Sequence, residues 1–260
     1  VEKIIIVLFG LVWGSFLNVV IYRVPLGLSL VRPPSSCPRC KKRIKPYDNI
    51  PVISFLLLGG RCRFCGARIP WTYPLVEVLA PVSFLLIYSR FGLTTFFFAS
   101  CLFASALIVL GFIDYAHQVL PDEITLPGLV LALVYSLFRT DLNLRRALIG
   151  AVVGSGILLL IYTAYLLLRK KEGLGLGDVT MMLMIGAYLG WLKAVFTLIL
   201  ASFAGALVGM FLLFFRKKDL QYALPFSGGS ASSTPTSGST GALFPDALFG
   251  DRDRGIEFCP

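Results

Sequence analysis

Seven apolar runs dominate this chain, at about 4–22, 72–89, 93–113, 124–138, 147–168, 179–192 and 194–215. Runs of this length are long enough, or nearly so, to span a bilayer. The composition agrees: 57% of residues are hydrophobic, 15% are charged and the mean hydropathy is +0.81. The expected architecture is an all-α polytopic membrane protein with seven or eight transmembrane helices and a small polar insert. The first run has neither a basic leader nor a small-residue cleavage site, so it reads as a retained helix.

The distribution of charge orients this bundle. A net charge of +10 suggests nucleic acid in a soluble chain, but here it reads as a positive-inside bias, and no nucleic-acid partner is expected. Residues 23–71 hold ten Lys/Arg (among them Arg23, Lys41, Lys42 and Arg63) against one acid, Asp48. With this insert cytoplasmic, alternation puts the clusters Arg169-Lys170-Lys171 and Arg216-Lys217-Lys218 on the same side. The count is then sixteen basic residues inside and six outside. The chain divides into a first helix at 1–22, the insert at 23–71, a helical core at 72–226 and a tail at 227–260. The tail opens with GGSASSTPTSGSTG, a flexible linker composition, and reads as a disordered or appended end without fold of its own.

Three acids fall at or within the apolar runs: Glu77, Asp114 and Asp178. In a membrane protein such residues are costly and point to function. Asp178 follows three alternating glycines in GLGLGDV at 173–179 and opens the sixth run, where a helix N-terminus welcomes an acid. Asp114 closes the third run, at a helix C-terminus where a negative charge is disfavoured. Topology brings both to the cytoplasmic face, where paired carboxylates share a proton and hydrolyse a peptide bond without metal. The plainer alternative leaves each as a cap or an interface residue. Asp122 and Glu123, in LPDEITLP, are alternative candidates for the catalytic acids, although Pro121-Asp122 reads first as the N-terminal turn of the fourth helix, with capping as its job.

The insert carries CPRC at 37–40 and CRFC at 62–65. Two C-x2-C pairs in a reducing compartment predict a tetrahedral Zn2+ site of Cys37, Cys40, Cys62 and Cys65, closed and therefore structural. Cys101 and Cys259 read as plain thiols. Glu77, in WTYPLVEVLAP, is either an interface acid or an anion for a cationic ligand. Asn18, inside the first run, is expected to find a partner on a neighbouring helix. His117 is assigned no role.

Together these segments resemble the bacterial type IV prepilin peptidases, the prepilin leader peptidase/N-methyltransferases. The resemblance covers most of 10–226 and rests on GSFLNVVIYRVP (14–25), CPRC, CRFC, YPLVE (73–77), FIDYAHQVLPDEITLP (112–127) and GLGLGDV (173–179), in that order. It implies that Asp114 and Asp178 are the catalytic aspartates of a GxGD-type aspartyl protease in the inner membrane, with the active site facing the cytoplasm. The implied reaction removes the basic leader of prepilins or pseudopilins. The new N-terminal residue is then methylated with S-adenosylmethionine. The resemblance sets the methyl-donor site towards the N-terminal half, where Glu77 and Asn18 are candidates.

Two departures stand out. Thr180 lies where the family usually has Lys, which sets the expectation of altered activity. After YALPFS (222–227) the usual final helix gives way to the linker-like stretch. Two other readings are a preflagellin-type peptidase, which usually lacks the four cysteines, and a transporter or channel with a regulatory zinc domain. The second would show internal repeats, and none is evident.

Overall fold

A computed structural model describes residues 1–215 apart from 33, 38, 140–141 and 170–174. Gly173, Lys170, Lys171, the 216–218 cluster and the 227–260 tail lie outside the described residues. Every regular element described is helical: α1 (Glu2–Arg23), α2 (Ile53–Leu57), α3 (Thr72–Phe91), α4 (Thr95–His117), α5 (Asp122–Ser136), α6 (Leu144–Arg169), α7 (Leu176–Leu189) and α8 (Trp191–Phe215). A short 3-10 turn spans Pro46–Asn49. Each of the seven apolar runs has become one helix, with ends moved by a few residues. Five of them (α1, α3, α4, α6, α8) are long and apolar enough to cross a membrane, while α5 and α7 are shorter, at 15 and 14 residues. The outer faces leave Leu8, Phe98, Leu160 and Phe203 uncovered. Surface of that kind, all round a helix bundle, requires lipid.

Because lipid tails are as apolar as Leu, close backbone approach rather than hydrophobic burial holds such helices together. Gly10 and Gly14, one turn apart on α1, make the α1–α3 seam. A Cβ on Gly10 would lie 2.6 Å from the Cα of Pro81, and one on Gly14 would lie 2.8 Å from the Cα of Glu77. At the other end of the chain, Gly150 on α6 and Gly186 on α7 face each other with backbone against backbone, each filling the space of the other's missing Cβ. Replacing Gly186 by Ala forces the pair apart, at a cost of about 1–3 kcal/mol by analogy with overpacked cores. A lowered melting temperature in detergent is the expected result, and an unchanged one would contradict the contact.

The helices form two groups joined by α4. Leu17, Val76, Ala80, Val109 and Ile113 make a core between α1, α3 and α4. Ala132, Ala151, Ala187 and Tyr188 make another between α5, α6 and α7. The groups meet where Phe103 of α4 stacks on Tyr188 at 4.0 Å between ring centroids and Ser100 shares a 2.7 Å hydrogen bond with the Tyr188 hydroxyl. At that same end Arg139 donates to the Tyr188 carbonyl at 2.9 Å, a cation at the C-terminus of α7 where the helix dipole favours one. Tyr88 and Glu2 are hydrogen-bonded partners that tie α3 to the start of α1.

Candidate functional site

The opposite end of the bundle collects the residues singled out by sequence. The C-terminal turn of α1, the N-terminal turn of α3 and the end of α4 converge there, with Tyr22, Thr72, Phe112 and Ala116 lining one small crevice. The start of α7 joins them through Gly177, whose missing Cβ would stand 2.8 Å from the Cβ of Leu120. Any side chain at 177 would therefore push α7 off the α4–α5 link.

Asp114 sits in the last turn of α4, which ends in a left-handed Gln118 (φ 54°) whose N–H bonds back to the Asp114 carbonyl. Its carboxylate is open to the surface. Asp178 is half-buried in the first turn of α7, accepts the Gly175 N–H, and lies near enough to Asp114 to feel its charge. Gly175 leaves room at this carboxylate, since a Cβ there would stand 3.6 Å from Asp178 Oδ2. Two acids 64 residues apart are thus brought to one end of the bundle, the same end as the cysteine insert.

Asp122 makes a contact to α7 that a capping role alone does not require. It is the first residue of α5, and its Oδ1 accepts from Thr125 Oγ1 at 3.3 Å and from Thr180 Oγ1 at 3.2 Å. The single hydroxyl hydrogen of Thr180 is shared with the Gly177 carbonyl, at 2.9 Å. Thr180 therefore ties α5 to α7 two positions after Asp178. Thr180→Val removes that tie, worth about 1 kcal/mol, and is expected to slow any reaction at the pair several-fold. Thr180→Lys puts an ammonium beside the Asp122 carboxylate and is expected to be at least as active as the parent. Measured rates in the reverse order would contradict this role for Thr180.

The four cysteines converge as their spacing predicts. The sulfurs of Cys37, Cys40, Cys62 and Cys65 all lie within 4.8 Å of one another, with Cys37 Sγ and Cys65 Sγ 3.7 Å apart. Tetrahedral Zn–S bonds of about 2.3 Å put ligand sulfurs roughly 3.8 Å apart, so this donor set fits zinc. Two matching hairpins supply it. Cys37 N–H bonds to the Lys42 carbonyl and Lys41 N–H to that of Cys37, as Cys62 N–H bonds to Ala67 and Gly66 N–H to Cys62. Each turn needs a left-handed residue, met by Gly66 (φ 68°) and, less comfortably, by Lys41 (φ 56°). Although burial opposes it, the Cys65 and Phe64 backbone amides hold the Cys62 thiol down to about 7, while burial pushes Cys37 up. Nearby, the Arg63 guanidinium clasps Asp48 at 2.6 Å and holds its carboxyl below the usual range.

Between the insert and the bundle lies a small, half-open cleft of about 80 Å3, and both Glu77 and Asn18 line it. Asn18 Nδ2 donates to the Tyr73 carbonyl at 3.1 Å, the interhelical partner its position predicts. Glu77 is buried and fastens the insert to α3: its Oε2 accepts the Val52 N–H at 2.8 Å, and Ser15 also hydrogen-bonds to it. Val52 adopts φ 61°, an outlier for a β-branched residue, so that its amide can reach this acid. Nothing in the sequence marks Val52. The glycines Gly10 and Gly14, by contrast, carry a small-xxx-small signal that the sequence reading passed over. Cys101 is buried in α4 among Ile6, Phe84 and Phe97, and His117 is the last residue of α4, one turn after Asp114.

Residues 8–91 match the family described as Bacterial Peptidase A24 N-terminal domain, and residues 101–210 match the Type IV leader peptidase family. A Prepilin leader peptidase/N-methyltransferase of Pseudomonas putida is 38% identical, over 84% of this chain and 83% of its own length. The protein of the same name from Pseudomonas aeruginosa is 37% identical over 85% and 84%. That of Myxococcus xanthus is 42% identical over 78% and 61%. No solved structure matches the chain. Matches to both family descriptions, together with these relatives, show that the chain belongs to the type IV leader peptidase family.

Proposed function

We propose that this multi-pass membrane enzyme is a prepilin leader peptidase/N-methyltransferase whose peptide-bond cleavage is carried out by Asp114 and Asp178. The observation that carries the assignment of residues is the meeting of two acids from distant helices at the end of the bundle where the basic insert sits. One carboxylate takes a proton from water, which adds to the scissile carbonyl carbon. The other gives its proton to the carbonyl oxygen. As the tetrahedral adduct collapses, a proton passes to the departing amine and the C–N bond breaks. The substrate is a prepilin or pseudopilin with a basic leader on the cytoplasmic side and an apolar segment that stays in the bilayer.

The bundle then has seven spans or more in the inner membrane, with the insert and the acid pair cytoplasmic. The sixteen-to-six division of basic residues supports that orientation. Cys37, Cys40, Cys62 and Cys65 hold a structural Zn2+ that joins the two hairpins. S-adenosylmethionine, when bound, supplies an electrophilic methyl group for the new N-terminal amine. The chain must hold that amine unprotonated and facing the donor.

The test uses the full chain in lipid nanodiscs with a purified prepilin. Mass spectrometry is expected to show loss of the leader without donor, and one added methyl group once S-adenosylmethionine is present. A prepilin left intact would overturn the peptidase assignment. A cleaved but never methylated product would overturn the second activity alone.

A further inference from the structure

We infer that the cleft between the cysteine insert and the α1–α3 seam receives the head of one basic side chain of the substrate's leader, with Glu77 as its counter-charge. This rests on the peptidase reading above and supplies a specificity-determining contact outside the acid pair. Glu77 is only 9% exposed. Its recorded partners are the Val52 N–H and Ser15, both neutral, and no ion pair reaches it among the described residues. Buried charges are normally paired, so a carboxylate held by hydrogen bonds alone attracts a cation. The insert's ten Lys/Arg do not answer it, since none of them lines the cleft. The other acid of the lining, Asp48, is already clasped by Arg63.

Size narrows the ligand. About 80 Å3 is well below the roughly 300–1,000 Å3 usual for drug-sized ligands, so a nucleoside does not fit. A water takes about 30 Å3 of liquid, so the same space holds an ammonium head and the methylenes next to it. Asn18 and Asn49 offer amides to the head, and Phe55, Leu58 and Ile69 offer an apolar wall to its stem. Position also fits. Val76 and Ile113 belong to one buried cluster, so Glu77 and Asp114, each the next residue along, stand at one level of the bundle. Asn18 and Tyr73 line both this cleft and the crevice at Phe112 and Ala116, two residues either side of Asp114. An extended leader rises about 3.3 Å per residue. A basic side chain a few residues before the scissile bond therefore enters the cleft while that bond lies at the acid pair.

The test uses the full chain in nanodiscs and a set of prepilins in which each Lys or Arg of the leader is replaced singly by Gln. For the parent, one replacement is expected to raise KM about tenfold with kcat little changed, the loss of one charge-assisted hydrogen bond. In Glu77→Gln that same replacement no longer matters, whereas the others act as they do in the parent. If every replacement acts alike on parent and variant, the inference falls and the peptidase reading stands. A parent that cuts none of the prepilins overturns both. In case Glu77→Gln does not fold, the parent is also crosslinked to prepilins that carry a photoreactive lysine analogue at each basic leader position in turn. Crosslinks from one position to 14–19, 44–58 or 69–77 are the expected result. Crosslinks confined to residues beyond 95 overturn the inference.

Discussion

Stripping the metal from the full chain, or replacing Cys40 by Ser, is expected to unfold residues 23–71 and leave the helices standing. Between the two hairpins the described insert offers only a five-residue helix and a 3-10 turn, with no sheet and little apolar interior. Four thiolates that converge within 4.8 Å are its main crosslink. Binding of a structural Zn2+ to such a site contributes on the order of 10–16 kcal/mol, which in a small domain is folding free energy. The bundle has its own seams at Gly10, Gly14, Gly150 and Gly186 and does not need the metal. One zinc per chain by elemental analysis is the expected stoichiometry. After chelation, proteases should cut within 23–71 while far-UV helicity changes little. An insert that stays protected without metal would contradict the structural role.

Loss of either member of the acid pair is expected to lower prepilin cleavage by about a thousandfold or more, since each proton transfer contributes 10²- to 10⁴-fold. Asp114→Asn and Asp178→Asn keep the shape of each side chain and remove only its ability to carry a proton in this exchange. Asp122→Asn is the informative contrast. Its carboxylate accepts from Thr125 and Thr180, a supporting position, so the expected loss is within about tenfold. An Asp122 variant as inactive as the Asp178 variant would move the pair.

Much of this arrangement was legible in the chain because lipid imposes simple rules. Apolar runs become helices, and α1, α3, α4, α6 and α8 follow their runs closely. Asp114 stood out because a carboxylate at the C-terminal end of a helix is disfavoured, and Asp178 because glycines precede it. The four cysteines were readable because metal ligation leaves a spacing. Their hairpins also repeat at a fixed offset, SSCPRCKKRI at 35–44 against GRCRFCGARI at 60–69, a resemblance visible in the letters but not drawn from them.

What the sequence hid is contact through absence and through backbone. Gly150 and Gly186 mean nothing separately, and only the fold sets one against the other. The bond from Val52 to Glu77 uses an amide that every residue but proline has, so no side chain announces it. Thr180 was noticed as a departure, yet its bond to Asp122 joins positions 58 residues apart that no local pattern links. Five helices meet the length for a span, and α5 and α7 fall short because Pro121 and Gly190 stop them at one end.

The most direct measurement of the central claim is the cleavage rate of one prepilin by the parent, Asp114→Asn, Asp178→Asn and the double variant, all in the same nanodiscs. A pair that works as one unit predicts that each single variant is as inactive as the double, with melting temperatures close to that of the parent. A single variant that still cleaves at more than about a tenth of the parental rate would contradict the assignment of Asp114 and Asp178 as the catalytic pair.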